Sequence, residues 1–386
     1  MRHKRRQLHT AGNPTRIEVD LGALARNART LMRELPAGGR LMAVVKADAY
    51  GHGARQVTRT LYSLGVRHFA VATAEEGIAL RRAGLRGEIL VLGYTDPALA
   101  GRLWRYRLTQ TLIGEDYAVA LDRRGYPVRA HLKIDTGMHR LGIDVSDGEA
   151  IARTLGCRRL RIRGAFTHLC VSDESTVSAI AFTEGQIEAL ESVAPLLTAH
   201  GRSLPVHAKN SAGLLNYGDL LPGSTVRAGI ALYGACDAPA TLRHPDLLPV
   251  LSVRSAIVLL RRIPAGESVG YGRAWIAPRE TLVAVVPMGY ADGIPRADGE
   301  RGGEVLTRGM RCPVIGRVCM DQMTVDVTDL PHPTVGERVT WLGSDGGDRI
   351  TAEEIARRHN TVSYEVLCRL GGRPKRIFLR ERSDPT

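Results

Sequence analysis

One short segment holds the most reactive pattern in the chain: Ala43-Val44-Val45-Lys46-Ala47-Asp48-Ala49-Tyr50-Gly51-His52-Gly53. A lysine closes an apolar run and is followed by small residues and glycines. Partial desolvation disfavours the ammonium, leaving the free amine that Schiff-base chemistry with an aldehyde requires. Equally, Lys46 could lay its stem along apolar surface and keep its charge in water. Arg227 sits inside the apolar run Val226-Arg227-Ala228-Gly229-Ile230-Ala231-Leu232, an unusual place for a surface ion-pair arginine. Tyr271 lies between two glycines, which by itself reads as a strand-end tyrosine at a turn. The six cysteines contain no C-x-x-C pair and no zinc spacing, so reduced thiols and no metal are expected.

A reactive lysine needs a frame. From residue 16 to about 235, short apolar runs alternate with longer amphipathic segments. The runs are 41–45, 69–72, 89–92, 129–134, 163–167, 205–208 and 226–232, and helix-like stretches cover 21–35, 54–64, 73–83 and 182–200. Strand then helix at this spacing implies parallel strands with right-handed crossovers. Seven or eight such units fit an α/β (β/α)8 barrel, in which strand C-terminal ends build the active site. Near 245 the style changes to strand signals separated by glycine-rich turns, with one helical piece around 352–359 and a closing strand-like run at 376–379. The expected organisation is a basic tail (1–15), a barrel (16–245) and a mainly-β domain (246–386).

At 386 residues the chain has room for roughly two to three domains. Its 44% hydrophobic content excludes bulk disorder, and only 5% aromatic residues makes the core aliphatic. The net charge of +13 raises polyanion binding. However, the run Arg2, His3, Lys4, Arg5, Arg6 reads as a solvated tail, and the remaining arginines are dispersed singly or in pairs. A groove-tracking stripe would cluster them. No run approaches the ~20 apolar residues of a spanning helix, and no apolar signal-peptide region follows the basic start. Nucleic acid and membrane are therefore not expected partners, and the expected address is cytoplasmic.

The lysine segment resembles the pyridoxal 5'-phosphate motif of the alanine racemases (fold type III). The resemblance runs from Arg16-Ile17-Glu18-Val19-Asp20 to Arg376. It includes Lys133-Ile134-Asp135-Thr136-Gly137-Met138-His139-Arg140-Leu141-Gly142, Thr167-His168, Asn210-Ser211-Ala212, Val226 to Gly234, and Val269 to Arg273. Gly289-Tyr290-Ala291-Asp292-Gly293, Gly316-Arg317-Val318-Cys319-Met320-Asp321-Gln322 and Tyr364-Glu365-Val366 follow in the family's order. The family's architecture, a barrel and then a β-domain, coincides with the reading above.

The resemblance implies a role for each matching residue. The cofactor supplies an electron sink at Cα, and racemisation needs a base on each face. Lys46 would carry the cofactor and serve the D-face. Tyr271 would serve the L-face from the β-domain of a second subunit, which makes a homodimer with shared sites. Arg227 would face the pyridine nitrogen, where a permanent cation disfavours protonating that nitrogen. Tyr50, Asn210, Ser211, Gly229, Ile230 and Tyr364 would surround the phosphate, with His168 and Leu92 near the ring. Arg140 and Met320 would bind the substrate carboxylate, Lys133 would be an N6-carboxylysine holding Arg140, and Tyr290 and Asp321 would line the entrance.

The implied function is interconversion of L- and D-alanine, supplying D-alanine for peptidoglycan. Some segments, 166–173 and 209–217, also resemble the racemase domain of vancomycin-resistance serine/alanine racemases. In that branch an asparagine tends to stand where this chain has Tyr364, so Tyr364 favours alanine. A serine/alanine or broad-specificity racemase is the enzymatic alternative, with a decarboxylase of the same fold behind it. A cofactor-carrying or polyanion-binding protein is the non-enzymatic one.

Overall fold

Eight parallel strands follow one another in chain order around a nearly closed sheet: Arg40–Val44, His68–Val71, Glu88–Val91, Thr109–Leu112, Arg129–Asp135, Arg161–Phe166, Val206–His207 and Thr225–Ala228. The last pairs with the first, Val226 opposite Leu41 and Ala228 opposite Ala43. At the remaining seam the Arg227 N–H donates to the Lys209 carbonyl at 2.9 Å. This computed structural model describes residues 12–199, 201–236 and 245–379. The chain forms two units, the barrel over Leu21–Leu248 and a second unit of Pro249 onward together with the strand Arg16–Asp20.

The barrel strands are buried almost end to end, as expected for parallel strands covered on both faces. Helices return the chain between them. Ala54–Ser63 turns Val57, Thr58 and Leu61 inward, each large aliphatic burial stabilising by roughly 1.5–3 kcal/mol. Ala74–Arg82 begins with a capping box, in which Thr73 accepts the Glu76 N–H and the Glu76 side chain accepts the Thr73 N–H. Its acidic first turn and basic last turn match the helix dipole.

The second unit is a ten-stranded, mostly antiparallel sheet. Its order is Leu259–Ile263, Thr281–Val286, Met323–Asp326, Met310–Ile315, Glu304–Thr307, Arg338–Asp345, Leu251–Ala256, Arg16–Asp20 and Lys375–Leu379, with Asp348–Ile350 beside Arg338–Asp345. The last two strands of that path are parallel. Trp341, fully buried, donates its indole N–H to Asp298 at 2.8 Å, and that carboxylate also meets His359 Nε2 at 2.8 Å.

Four expectations need correction. Arg16–Asp20 is a strand of the second unit, not of the barrel, so the barrel starts at Leu21 and runs to Leu248. Its sequence says why: Ile17 and Val19 are buried while Arg16, Glu18 and Asp20 are not, the alternation of a sheet with one solvated face. Thr15 is not tail either, since its hydroxyl donates to the Pro287 carbonyl at 2.6 Å. The basic run at 2–6 lies outside the described residues. Finally, Thr109–Leu112 is a barrel strand the apolar pattern did not disclose. Its Thr109, Gln110 and Thr111 are fully buried; the two hydroxyls donate to Glu88 and the Val91 carbonyl and the Gln110 amide N–H to the Gly93 carbonyl, while Gln110 Oε1 meets no hydrogen-bond donor among the described residues. The helix expected over 182–200 spans Val177–Val193 instead, capped by the Thr176 hydroxyl.

Candidate active site

The lysine leaves its strand into an unusual turn. Ala47, Asp48, Ala49 and Tyr50 all have φ between 51° and 57°, one turn of left-handed helix made without glycine. Left-handed backbone costs L-residues roughly 1–2 kcal/mol each, so the turn has to be held. Ala49 N–H donates to the Val45 carbonyl and Gly51 N–H to the Ala47 carbonyl. The Asp48 carboxylate accepts the Ala54 N–H at 2.7 Å, and His52, fully buried, sets Nδ1 against the Ala49 and Tyr50 carbonyls. Glu76 clamps the turn from the neighbouring helix, its carboxylate accepting the N–H groups of Ala47 and Ala72 at 2.7 Å each. Lys46 is thereby pinned at the barrel rim.

Arg227 points inward from the last strand and is 4% exposed. Its guanidinium donates to the carbonyls of Thr167 (2.7 Å) and Ala208 (2.6 Å), to His207 Nδ1 (2.5 Å) and to His168 Nδ1 (3.3 Å). Burial lowers its pKa to about 9, and all four of these partners are uncharged. Burial first, then the positive charges of Arg227, Arg140, Lys133 and Lys46, push His168 down to about 3. Those four cations therefore share one electrostatic neighbourhood at the rim. Lys133 is 6% exposed, donates to the Ile134 carbonyl at 2.7 Å and is lowered to about 7, chiefly by burial and then by Arg227. Arg140 is exposed.

Beside Arg227 lies an oxyanion cradle. Asn210 caps the short helix Ser211–Asn216, accepting the Gly213 N–H at 2.8 Å. The Ser211 hydroxyl accepts N–H groups from Gly229 (3.0 Å) and Ala231 (3.4 Å). Gly229 is required there: a Cβ would stand 2.6 Å from the Tyr50 hydroxyl. Hydroxyls of Ser211 and Tyr50, with the Gly229–Ala231 backbone, thus converge on one rim position, which suits a phosphate group. With a rim lysine and an unbalanced buried arginine, these residues fit pyridoxal 5'-phosphate. Leu92 lies just past the end of Glu88–Val91, on the same rim.

The other expected residues belong to the second unit. Tyr271 is 66% exposed on a turn whose Gly270 and Gly272 have φ of 79° and 70°. Tyr290, Met320 and Asp321 are brought together: Tyr290 N–H donates to the Cys319 carbonyl and Ala291 N–H to the Met320 carbonyl, both at 3.0 Å. Arg373 bridges Asp321 (2.5 Å) and Asp292 (2.7 Å). Tyr364 is exposed on the helix Ser363–Arg369.

Sequence reasoning missed Glu76, Arg373, His131 and His207. His131 and Lys133 occupy alternate positions of one apolar strand, so both face the barrel interior, and that period-two polar pair was the available signal. Among the described residues, no disulfide joins any of the six cysteines. Among the described residues, no helix is long and apolar enough to cross a membrane.

Comparison with known proteins bears on the whole arrangement. Residues 19–237 match the model of the alanine racemase N-terminal domain and residues 250–378 that of the alanine racemase C-terminal domain. An amino-acid racemase of Enterococcus faecalis is 40% identical over 92% of this chain, which spans only 50% of that protein's length. An alanine racemase of Geobacter sp. is 39% identical, over 95% of this chain and 99% of its own length. Among solved structures, alanine racemase from E. faecalis superposes with a TM-score of 0.87 at 34% identity, over 96% of this chain and 99% of that one. The Bacillus anthracis alanine racemase with bound L-Ala-P does so with a TM-score of 0.87 at 28% identity, over 96% of each.

Proposed function

The chain belongs to the alanine racemase family, and we propose that it interconverts L- and D-alanine by a two-base mechanism with pyridoxal 5'-phosphate held at the barrel rim. The observation that carries this reading is Arg227, a buried cation whose partners are all neutral, facing the same rim as Lys46. Bound pyridoxal phosphate would supply the electron sink that makes the α-proton of an amino acid removable.

In this reading Lys46 holds the cofactor and moves a proton at Nζ on the D-face, while the Tyr271 phenolic oxygen does so on the L-face. Exposure of Tyr271 within its own unit supports its serving the site of a second copy, in a homodimer. Ser211, Gly229, Ile230, Tyr50, Asn210 and Tyr364 bind the phosphate, and His168 and Leu92 pack near the ring. Arg227 would face the ring nitrogen of the bound cofactor and disfavour its protonation, because a second positive charge beside a permanent one is unfavourable. Arg140 and the Met320 backbone orient the substrate carboxylate, with Tyr290 and Asp321 at the entrance.

Lys133 is the modification site in this account. With a pKa near 7, a large fraction of it is free amine at neutral pH. That amine adds carbon dioxide, releasing one proton and leaving a carbamate whose negative charge can pair with Arg140. The proposed setting is the cytoplasm, where D-alanine would feed peptidoglycan synthesis. Tyr364 favours alanine over serine, and the resemblance of segments 166–173 and 209–217 to serine/alanine racemases makes serine the comparison substrate. Chiral chromatography of L-alanine and L-serine after incubation with protein and pyridoxal phosphate tests the reading. D-alanine should form faster than D-serine, and absence of D-alanine would reject it.

A further inference from the structure

Three separate segments of the β-unit meet at the Arg373 guanidinium. It donates through Nε and Nη2 to the two oxygens of Asp292 at 2.7 and 2.8 Å, and through Nη1 to Asp321 at 2.5 Å. Nη2 also reaches the Met320 carbonyl at 3.4 Å. Asp292 is 1% exposed, and Arg373 is its one cationic partner among the described residues. The same carboxylate accepts the Gly289 N–H at 2.9 Å, which closes the turn from Gly289 to Gly293. That turn donates the Tyr290 N–H to the Cys319 carbonyl and the Ala291 N–H to the Met320 carbonyl. The two loops are so close that a Cβ on Gly289 would stand 2.4 Å from both of those carbonyl oxygens.

With the two carbonyls occupied, one group of this stretch is left over. The Met320 N–H meets no acceptor among the described residues, on a residue that is half exposed. A trans peptide is planar, with its C=O and N–H pointing in opposite directions. Holding the Cys319 oxygen on Tyr290 therefore aims the Met320 N–H away from the turn. Charge matters as well. Asp321 is the next residue, and unpaired it would repel any carboxylate arriving at that N–H; Arg373 offsets it.

We propose that Arg373 is a positioning residue for the substrate carboxylate: gripping Asp292 on one loop and Asp321 on the other, it holds the Cys319–Met320 peptide so that its N–H is presented to that carboxylate. The inference rests on the reading of the Met320 backbone as a carboxylate contact. Arg373 itself touches neither substrate nor cofactor. The bonds from Tyr290 and Ala291 orient the peptide only while their turn keeps its place, and Arg373 is what ties Asp292 of that turn to the facing loop. A buried carboxylate stripped of its cation is strongly disfavoured, so losing Arg373 would drive Asp292 outward and take the turn with it.

The test uses full-length protein with pyridoxal phosphate, labelled with ¹⁵N-methionine and titrated with propionate, which has the carboxylate and chain of alanine without its amine. Met320→Leu assigns the Met320 amide. In the wild type that amide should shift on saturation; a static amide would overturn the Met320 reading, and this inference with it. Arg373→Gln should raise the propionate dissociation constant by roughly ten-fold or more, the loss of one hydrogen bond to a charged group. Its KM for alanine should rise in step while kcat changes less than about three-fold, as expected when ground state and transition state lose the same contact. An unchanged propionate constant in Arg373→Gln would overturn the role of Arg373 and leave the Met320 reading standing. Changes spread over all the methionine amides would mark Arg373 as a general structural brace, and would also overturn it. Arg373→Lys keeps the charge without the fork and should recover only part of the affinity. If Arg373→Gln does not fold, Arg373→Lys decides: a raised propionate constant supports the proposal and a wild-type one overturns it.

Discussion

The two units handle polar chemistry in opposite ways. The barrel buries it: Arg227, His207, His131, Lys133 and Gln110 are all less than 9% exposed, and each has a partner within the same unit. The β-unit keeps its expected site residues outside, with Tyr271 at 66% and Met320 at 53% exposed on loops, although it too buries a charge in Asp298, held by Trp341 and His359. A buried charge or imidazole must be fixed by neighbours or it costs several kcal/mol. The barrel's site is therefore preorganised by the barrel's own residues. An exposed tyrosine on a two-glycine turn carries no such constraint, and its surroundings are free to be set by whatever docks against it.

The sharpest test of this contrast is removal of one group from each side. Lys46→Ala should abolish the borohydride-reducible visible band that pyridoxal phosphate gives with the protein and cut racemisation by at least about 10⁴-fold. A surviving reducible band would remove Lys46 from its role. Tyr271→Phe should slow turnover of L-alanine by roughly 10²- to 10⁴-fold, while folding stability stays within about 0.5 kcal/mol because the residue is exposed. Solvent-deuterium exchange of the D-alanine α-proton, which needs Lys46 alone, should survive better. Equal loss from both enantiomers would favour a single shared base.

Acid should distinguish the units next. His131, His168 and His207 are held neutral in the folded barrel, His131 down to about 4 and His168 to about 3. In the unfolded chain such rings protonate near pH ~6.5. Between about 6.5 and about 4 the unfolded barrel thus binds more protons than the folded one, and its stability falls as pH falls. The slope is up to roughly 1.4 kcal/mol per pH unit for each histidine. Acid unfolding followed separately with Trp104 in the barrel and Trp341 in the β-unit should show the barrel signal moving first. Coincident transitions would mean that the two units unfold as one. The smallest effect is expected at Thr73→Ala, which breaks the capping box and should cost about 1 kcal/mol of stability in a denaturant titration. A larger loss would mean that the lysine turn, clamped by Glu76 of the same box, depends on that helix end.

The alternation of apolar runs with amphipathic segments was enough to place the barrel strands 40–44, 68–71 and 88–91 and the helices between them, because parallel strands buried on both faces must be continuously apolar. Thr109–Leu112 escaped because its buried hydroxyls and amide N–H find their acceptors at Glu88, Val91 and Gly93, a fact that resides in the neighbours. Arg16–Asp20 was not among the strand runs read from the sequence, because its alternating pattern lacks the continuous apolar run of a barrel strand. At the site, Lys46 announced itself at the end of an apolar run and Arg227 inside one, whereas Ser211 and Gly229 came only from the resemblance. Motif order could supply the same list.

By itself, then, the sequence determined which side chains could do chemistry and that a parallel αβ frame would collect them at strand ends, since both follow from local spacing. Tertiary structure alone decided that four consecutive non-glycine residues after Lys46 turn left-handed, that Arg227 is left with only neutral partners, and that His207 beside it meets His131. Each of those depends on groups 20 to 76 residues apart in the chain meeting inside a low-dielectric interior. There an unmet donor or charge is expensive enough to dictate the backbone, the rotamer and the tautomer around it.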